Sequence, residues 1–302
     1  MAITAPTMTS DFSGFLTPAQ STPIFDDAAR MSVVQRLARR VPLGASGVTI
    51  PITTSKPVAG WVDEGGRKPT TKGGRGLLPM APKKVAAILV NSAEVVRADP
   101  GGYVSSSRSE LAEAFAIAFD YASLYNLGGD GTGTGPFDNY IAETSKSVTF
   151  GTGDTVHNDI VAGLSALVND GKRLTGFAFD DVAEPLFLDA VDGNDRPIYI
   201  DTPLDDTTRA RGGRLISRPS WMGEGGAHDG TVGFGGDFRK VAWGVVGGIT
   251  FDVSDQATVT IDDELVSLWE HNLVAIRAEA EYGLVIADTE AFVAYQSGAG
   301  SS

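Results

Sequence analysis

Trp61-Val-Asp-Glu-Gly-Gly-Arg-Lys-Pro69 and Pro82-Lys-Lys-Val-Ala-Ala-Ile-Leu-Val-Asn-Ser-Ala-Glu94 decide how this chain is read. The residue pattern predicts a strand before them at Val48–Thr53 and a returning strand at Val85–Val90. The segment between is rich in Gly, Lys and Arg and carries a Trp with no apolar stripe to cover it. A long two-stranded excursion of this kind cannot build its own core and is marginal in water. Something outside its own domain must hold it.

Charge sets the excursion apart from the rest. Residues 30–97 carry 12 Lys/Arg against Asp63, Glu64 and Glu94, a net of +9, while the whole chain is −14, so the remainder is −23. One reading is plain surface solvation. The other is a basic arm and loop laid on an acidic body, in the same subunit or a neighbour. Nucleic-acid binding fits 30–97 poorly, because its cations are interleaved with Gly and Pro rather than with stacking aromatics.

The 302 residues suffice for a large core and two lobes. A hydrophobic content of 42% is ordinary for a globular chain, and 37 glycines imply many turns. No run of about 18 apolar residues predicts a membrane-spanning helix. Met1-Ala-Ile-Thr-Ala-Pro6 lacks the pattern of a signal peptide. With no cysteine in the chain, disulfides and thiolate metal sites are excluded.

Along the chain, residues 1–20 read as a small polar arm. Thr22-Pro23 starts a predicted helix that places Ile24, Ala28, Met31, Val34, Leu37, Ala38 and Val41 at helical spacing. Arg36, Arg39 and Arg40 sit at its dipole-favoured end, and Pro42 stops it. Ser107-Arg-Ser-Glu110 is a candidate capping box for a long helix through Leu111, Phe115, Phe119 and Ala122 to about Tyr125. Gly128–Pro136 breaks that helix as a flexible connection between lobes. Asn158–Val168 reads as a helix with Ile160, Val161, Leu164, Leu167 and Val168 on one face.

Phe177–Phe179 reads as a strand and Asp181–Val191 as a helix compromised by Pro185. Short strands follow around Ile198–Ile200 and Leu215–Ser217, then a hairpin of Val241–Val246 and Ile249–Val253 across Gly247-Gly248. In Val274–Tyr282 the alternation of Ile276, Ala278, Ala280 and Tyr282 with Arg277, Glu279 and Glu281 has period two. That predicts a half-solvated strand, although the residues favour helix. Leu284–Ala287 and Ala291–Tyr295 extend the sheet.

Nothing in the sequence assembles a catalytic, cofactor or metal site. Gly128–Pro136 lacks the Lys-Ser/Thr of a phosphate loop and follows a helix rather than a strand. Loops at Asp130 or at Asp192, Asn194 and Asp195 lack the closing Glu of a calcium loop. His157, His228 and His271 are scattered without zinc-ligand spacing. Ser46 has Val48 where a nucleophile elbow needs its second Gly. Asp180/Asp181 and Asp205/Asp206 read as exposed turn charges. Of the four tryptophans, Trp61 is read as an interface residue, the others as core or interface anchors.

Five pieces in order carry a resemblance over most of the chain. They are Leu37-Ala-Arg-Arg-Val-Pro42; Gly60-Trp-Val-Asp-Glu-Gly65; Pro82-Lys-Lys-Val-Ala86 leading to Ser92-Ala-Glu94; the long helix running into Gly129-Asp-Gly-Thr-Gly133; and Gly236-Asp-Phe238, Ile249-Thr-Phe-Asp-Val-Ser254 and Asn272-Leu-Val-Ala-Ile-Arg-Ala-Glu279. Together they resemble the major capsid proteins of tailed bacteriophages of the Hong Kong ninety-seven type. The resemblance implies an α+β fold with an N-terminal arm and helix (1–47), an extended loop (48–90), a peripheral domain with a long spine helix (91–127), an axial domain (128–239) and closing strands of the peripheral domain (240–302).

It further implies a structural protein, not an enzyme, that assembles with itself into hexamers and pentamers of an icosahedral head around double-stranded DNA. The DNA would be held without sequence-specific contact, and no membrane or cofactor would be involved. Scaffolding, portal and decoration proteins are implied partners, and the virion, assembled in the bacterial cytoplasm, is the implied location. Trp61, Glu64, Arg67, Lys68, Lys72 and Arg75 are the predicted contacts to a neighbouring subunit. The alternatives are a bacterial encapsulin nanocompartment shell and a soluble hydrolase.

Overall fold

The computed structural model describes residues 32–98, 103–152, 155–188, 190–191, 197, 199–201, 211–223, 227–247, 249–261 and 264–298. The predicted arm at 1–20 and the helix start at Thr22-Pro23 lie outside them, as do Asp192, Asn194, Asp195 and the pair Asp205/Asp206.

Strand β15 (Leu273–Ile286) organises the first sheet. β4 (Lys83–Ser92) runs antiparallel along one edge, with Leu273 opposite Ser92 and Tyr282 opposite Lys83. The other edge is shared end to end by β11 (Val241–Val245), opposite residues 282–286, and β12 (Thr250–Ser254), opposite 275–279. The predicted hairpin across Gly247-Gly248 is therefore not formed. Both segments run the same way along β15, and Gly247, at φ +70°, lies in the interruption between them.

The period-two reading of β15 holds. Ile276, Ala278 and Ala280 are buried. On the other face Arg277 lies opposite Asp252 with their charged groups 2.8 Å apart, and Glu279 meets Lys84 at 3.1 Å. Cross-strand pairing of opposite charges lets helix-favouring residues settle in a strand.

The buried face receives α3 (Tyr103–Tyr125). Leu111, Phe115, Phe119 and Ala122 pack onto Ile276, Ala278, Ala280 and Tyr282, and the Phe119 ring lies 5.2 Å from Tyr282 and 6.1 Å from Trp243. Each such Phe contributes roughly 1.5–3 kcal/mol by leaving water. The helix begins at Tyr103, so the predicted capping box at Ser107–Glu110 does not lie at its start. A short helix that the sequence did not announce, α2 (Ala93–Ala98), precedes it.

Helix α1 (Val33–Leu37) ends earlier than its spacing predicts. Arg39–Arg40 form β1, parallel to β11 beside Ala242 and Trp243. The Trp243 indole N–H donates to the Gln35 carbonyl, and the Arg40 guanidinium lies 5.5 Å from the Trp243 ring. Sheet pairing and a cation–π contact outweigh the helical dipole for these two arginines.

The second sheet has seven strands in the order β5 (Ser147–Thr149), β16 (Phe292–Gln296), β10 (Thr231–Gly236), β6 (Gly176–Phe179), β9 (Arg218–Met222), β8 (Arg211–Leu215) and β7 (Tyr199–Asp201). β16, expected to extend the first sheet, belongs here instead. Ile216 and Ser217, expected in a strand, have φ of 48° and 62°. They form the two-residue turn between β8 and β9, a position that favours left-handed backbone.

Helix α4 (Val156–Asn169) covers this sheet with Ile160 and Leu167, while Val161 and Val168 of the predicted face are exposed. Gly163 takes their place, since a Cβ there would lie 2.3 Å from the Tyr295 hydroxyl. Asp181–Val191 is reduced to a 3₁₀ turn at Asp181–Ala183 and α5 (Glu184–Leu188). Asp180 is not an exposed turn charge: it is buried and accepts from the Val182 and Ala227 amides.

Gly128–Pro136 is a folded turn held by its own hydrogen bonds. Asn126, at φ 55°, ends α3 as a left-handed cap. Its carbonyl accepts from the Gly135 amide and its side-chain oxygen from the Phe137 amide. Gly131 lies flat against the Tyr121 ring, where a Cβ would approach to 3.1 Å.

Candidate subunit interface

The excursion is real, but its return strand is different from the predicted one. β2 (Val48–Ser55) pairs antiparallel with β3 (Gly74–Met80), Val48 opposite Met80 and Thr53 opposite Arg75. Val85–Val90 belongs to β4 in the body. The signal for β3 was the apolar run Leu77-Leu-Pro-Met80, hidden behind Gly-Arg-Gly.

Only the base of this hairpin is embedded. Ile50 and Met80 are buried in a small cluster with Leu43 and Ala242. From Thr53 outward to Arg75 no described residue is buried. The tip keeps its shape through backbone-directed bonds: Val58 N–H to Thr71 Oγ1 at 2.9 Å, Gly74 N–H to Ser55 Oγ at 2.7 Å, and a turn closed by Gly66 N–H to the Asp63 carbonyl at 2.9 Å. Gly65 supplies that turn's positive φ of 77°, which glycine adopts without steric cost.

Trp61 at the tip is completely exposed, and Val58 and Leu77 are open at 74% and 70%. A large aromatic held in water by an ordered turn is a candidate contact; buried against a partner it would remove about 150–250 Å² from solvent. Of the predicted contacts, Trp61 and Lys68 line one shallow depression of the tip with Pro57, Pro69 and Thr71. Glu64 and Arg67 flank the turn, and Lys72 and Arg75 lie along the returning side. Among the described residues none of Glu64, Arg67, Lys68, Lys72 and Arg75 forms an ion pair within the subunit.

The sequence reading missed two further surfaces. Leu265 on β14 (Glu264–Ser267) and Trp269 just beyond it are exposed at 79% and 71%, next to the short hairpin formed with β13 (Thr258–Ile261). Beneath the glycine turn lies a cavity of about 270 Å³ walled by Phe119, Phe137, Tyr282 and Pro136, with Lys83 and Lys84 at its exposed rim. Its size is that of one side chain, below the usual range for cofactors and substrates. Among the described residues no group of three metal-ligating side chains comes together, and no helix is long and apolar enough to cross a membrane.

Comparison with known proteins gives consistent matches. The model of the phage capsid family matches residues 13–297. The probable major capsid protein gp17 of Mycobacterium phage D29 is 43% identical over 292 residues, covering 94% of this chain and 90% of the relative. Its counterpart in Mycobacterium phage L5 is 42% identical over 303 residues, covering 96% and 91%. A solved structure from Gordonia phage Cozz superposes with a TM-score of 0.70 at 20% identity, covering 96% of this chain and 94% of the other. At that identity the superposition speaks for the fold alone, a mixed α+β fold.

Proposed function

The chain belongs to the phage capsid family, and we propose that it is the major capsid protein of a tailed phage, of the Hong Kong ninety-seven type. In this reading the subunit joins copies of itself in hexamers and pentamers that close an icosahedral head around double-stranded DNA. The names of the relatives at 42% and 43% identity favour a phage head over an encapsulin shell or a hydrolase.

One observation within the subunit carries the mechanism. A hairpin buried only at its base, among the described residues at Ile50 and Met80 with Val48 packed beside them, extends a fully exposed Trp61 and a group of exposed charges into solvent. Such a device contributes little to its own fold and is suited to association. We assign Trp61, Glu64, Arg67, Lys68, Lys72 and Arg75 to contacts with a neighbouring subunit. The first sheet with α3 forms the peripheral domain and the second sheet the axial domain in this assignment. An acidic body, in a chain of net charge −14, would repel packaged DNA rather than grip it. Assembly in the host cytoplasm, with scaffolding, portal and decoration proteins as further partners, completes the proposal.

The test is to express the chain and a variant in which residues 58–72 are replaced by a two-residue turn. Negative-stain microscopy should show closed shells for the first. The second should melt at an unchanged temperature and form no particles. Normal shells from the shortened hairpin would overturn the assignment.

A further inference from the structure

We propose that the cavity beneath the glycine turn is the socket that receives Trp61 of a second copy of this chain, with Asp63 or Glu64 of that copy turned toward Lys83. This deepens the hairpin reading and rests on it. The cavity is apolar and walled by three aromatic rings, those of Phe119, Phe137 and Tyr282, and it holds a volume of about 270 Å³. Offset and edge-on aromatic contacts would favour an aromatic guest over an aliphatic one. At the tip of the hairpin Trp61 is the only aromatic residue, and it is fully exposed.

Charge fits the same pairing. Trp61 is followed at once by Val62, Asp63 and Glu64. Lys84 at the rim is already engaged with Glu279 at 3.1 Å. Lys83 lies opposite Tyr282 on the cavity side of the sheet and, among the described residues, has no carboxylate within ion-pair distance. An incoming Trp-x-Asp-Glu segment would place carboxylates beside that ammonium, which sets register and favours encounter.

The occupant has to come from another subunit. The hairpin is pinned at Met80, three residues before Lys83. From there β3 (Gly74–Met80) carries the chain away for about 20 Å, at roughly 3.3 Å per residue. The tip bearing Trp61 lies beyond the far end of that strand. The glycines of the turn have a physical reason under this arrangement. A Cβ on Gly135 would lie 2.6 Å from the Leu127 carbonyl, and one on Gly129 3.2 Å from Ala118. Side chains at either position would lift the roof of the socket.

The absence of cysteine from the chain makes the test clean. Ala59→Cys beside Trp61 and Thr134→Cys on the glycine turn are combined in one chain, assembled, and treated with a short bis-maleimide. Covalent dimers and higher species on a denaturing gel are expected from the double variant and not from either single one. Particles that remain monomeric on the gel overturn the socket and leave the hairpin reading standing, whereas failure of that reading shows as normal shells from the shortened hairpin. If the double variant forms no particles, Lys83→Glu decides. It should lower particle yield severalfold, and Asp63→Lys with Glu64→Lys in the same chain should restore it. No loss, or loss without restoration, overturns the proposal.

Discussion

The Ser32 hydroxyl donates to the Asp120 carboxylate at 2.5 Å across 88 residues of sequence, in a fully buried site. The same carboxylate accepts the Val33 and Val34 amides at 2.8 and 3.1 Å. A residue of α3 thus satisfies two of the amides that the first turn of α1 leaves without helical partners. This ties the N-terminal helix to the helix that fills the core. Burial pushes the Asp120 carboxyl up to about 6, against the downward pull of the Ser32, Val33 and Val34 bonds.

The pH dependence follows with a definite sign. Unfolded, Asp120 titrates near 3.8, so the folded state binds its proton more tightly. Its contribution to stability is full below about 3.8 and is lost as pH rises through about 6, by the linkage between proton binding and folding. The loss is on the order of 3 kcal/mol. Asp120→Asn removes this titration. The stability difference between the parent and Asp120→Asn subunits, measured by denaturant unfolding before assembly, should change steadily between pH 4 and 6 and level off outside that window. A difference independent of pH would show that Asp120 does not titrate in the fold.

Ser32→Ala tests the other end of the bond. The hydroxyl both donates to Asp120 and accepts from the Gln35 amide as the N-cap of α1. Losing a cap costs about 1 kcal/mol, and here the buried carboxylate also loses a donor. A loss of about 1–3 kcal/mol is expected. No change in the unfolding midpoint would mean that α1 is held without the Ser32 hydroxyl, by the Val33 and Val34 amides on Asp120 and by packing.

Phe115→Asp places a carboxylate at a site 2% exposed, among Leu111, Phe119 and the buried face of β15. An unpaired charge there costs several kcal/mol. The expected outcome is insoluble protein, seen as loss of the chain from the soluble fraction. Soluble subunits that assemble would require Phe115 to face away from the core.

What could be read in the sequence followed from local rules. The period of two in 274–282 predicted β15 against helix propensity, because only a sheet separates Ile276 and Ala278 from Arg277 and Glu279. The apolar spacing of Leu111, Phe115 and Phe119 predicted α3. Where pairing depends on distant segments, the reading failed. Gly74–Met80 became the partner of β2 only because Met80 and Ile50 share a pocket with Leu43 and Ala242. Arg39 and Arg40 left the helix because β11 offered them an edge. β16 changed sheets because β10 and β5 flank it. The residues assigned to the interface were legible as an uncovered Trp among charges, but the cavity was not, since its walls come from three separated stretches.

The charges of the hairpin supply the last prediction. Arg67, Lys68, Lys72 and Arg75 line it and, among the described residues, form no ion pair with their own subunit. Each exposed contact across an interface is worth only about 0–1 kcal/mol, yet a shell repeats it at every subunit. Reversing all four to Glu takes residues 30–97 from +9 to +1 and the hairpin itself, residues 53–75, from +3 to −5, so that an attraction of the hairpin to the −23 remainder would become repulsion. Assembly of that variant should be slow or fail at low salt. Raising salt toward about 1 M, where the Debye length falls to roughly 3 Å, should restore part of it, while the parent chain responds weakly or in the opposite sense. Light scattering during assembly follows both. A reversed variant that assembles normally at low salt would reduce the charge asymmetry to surface solvation and leave the apolar contacts of Trp61 and Leu77 to hold the hairpin in place.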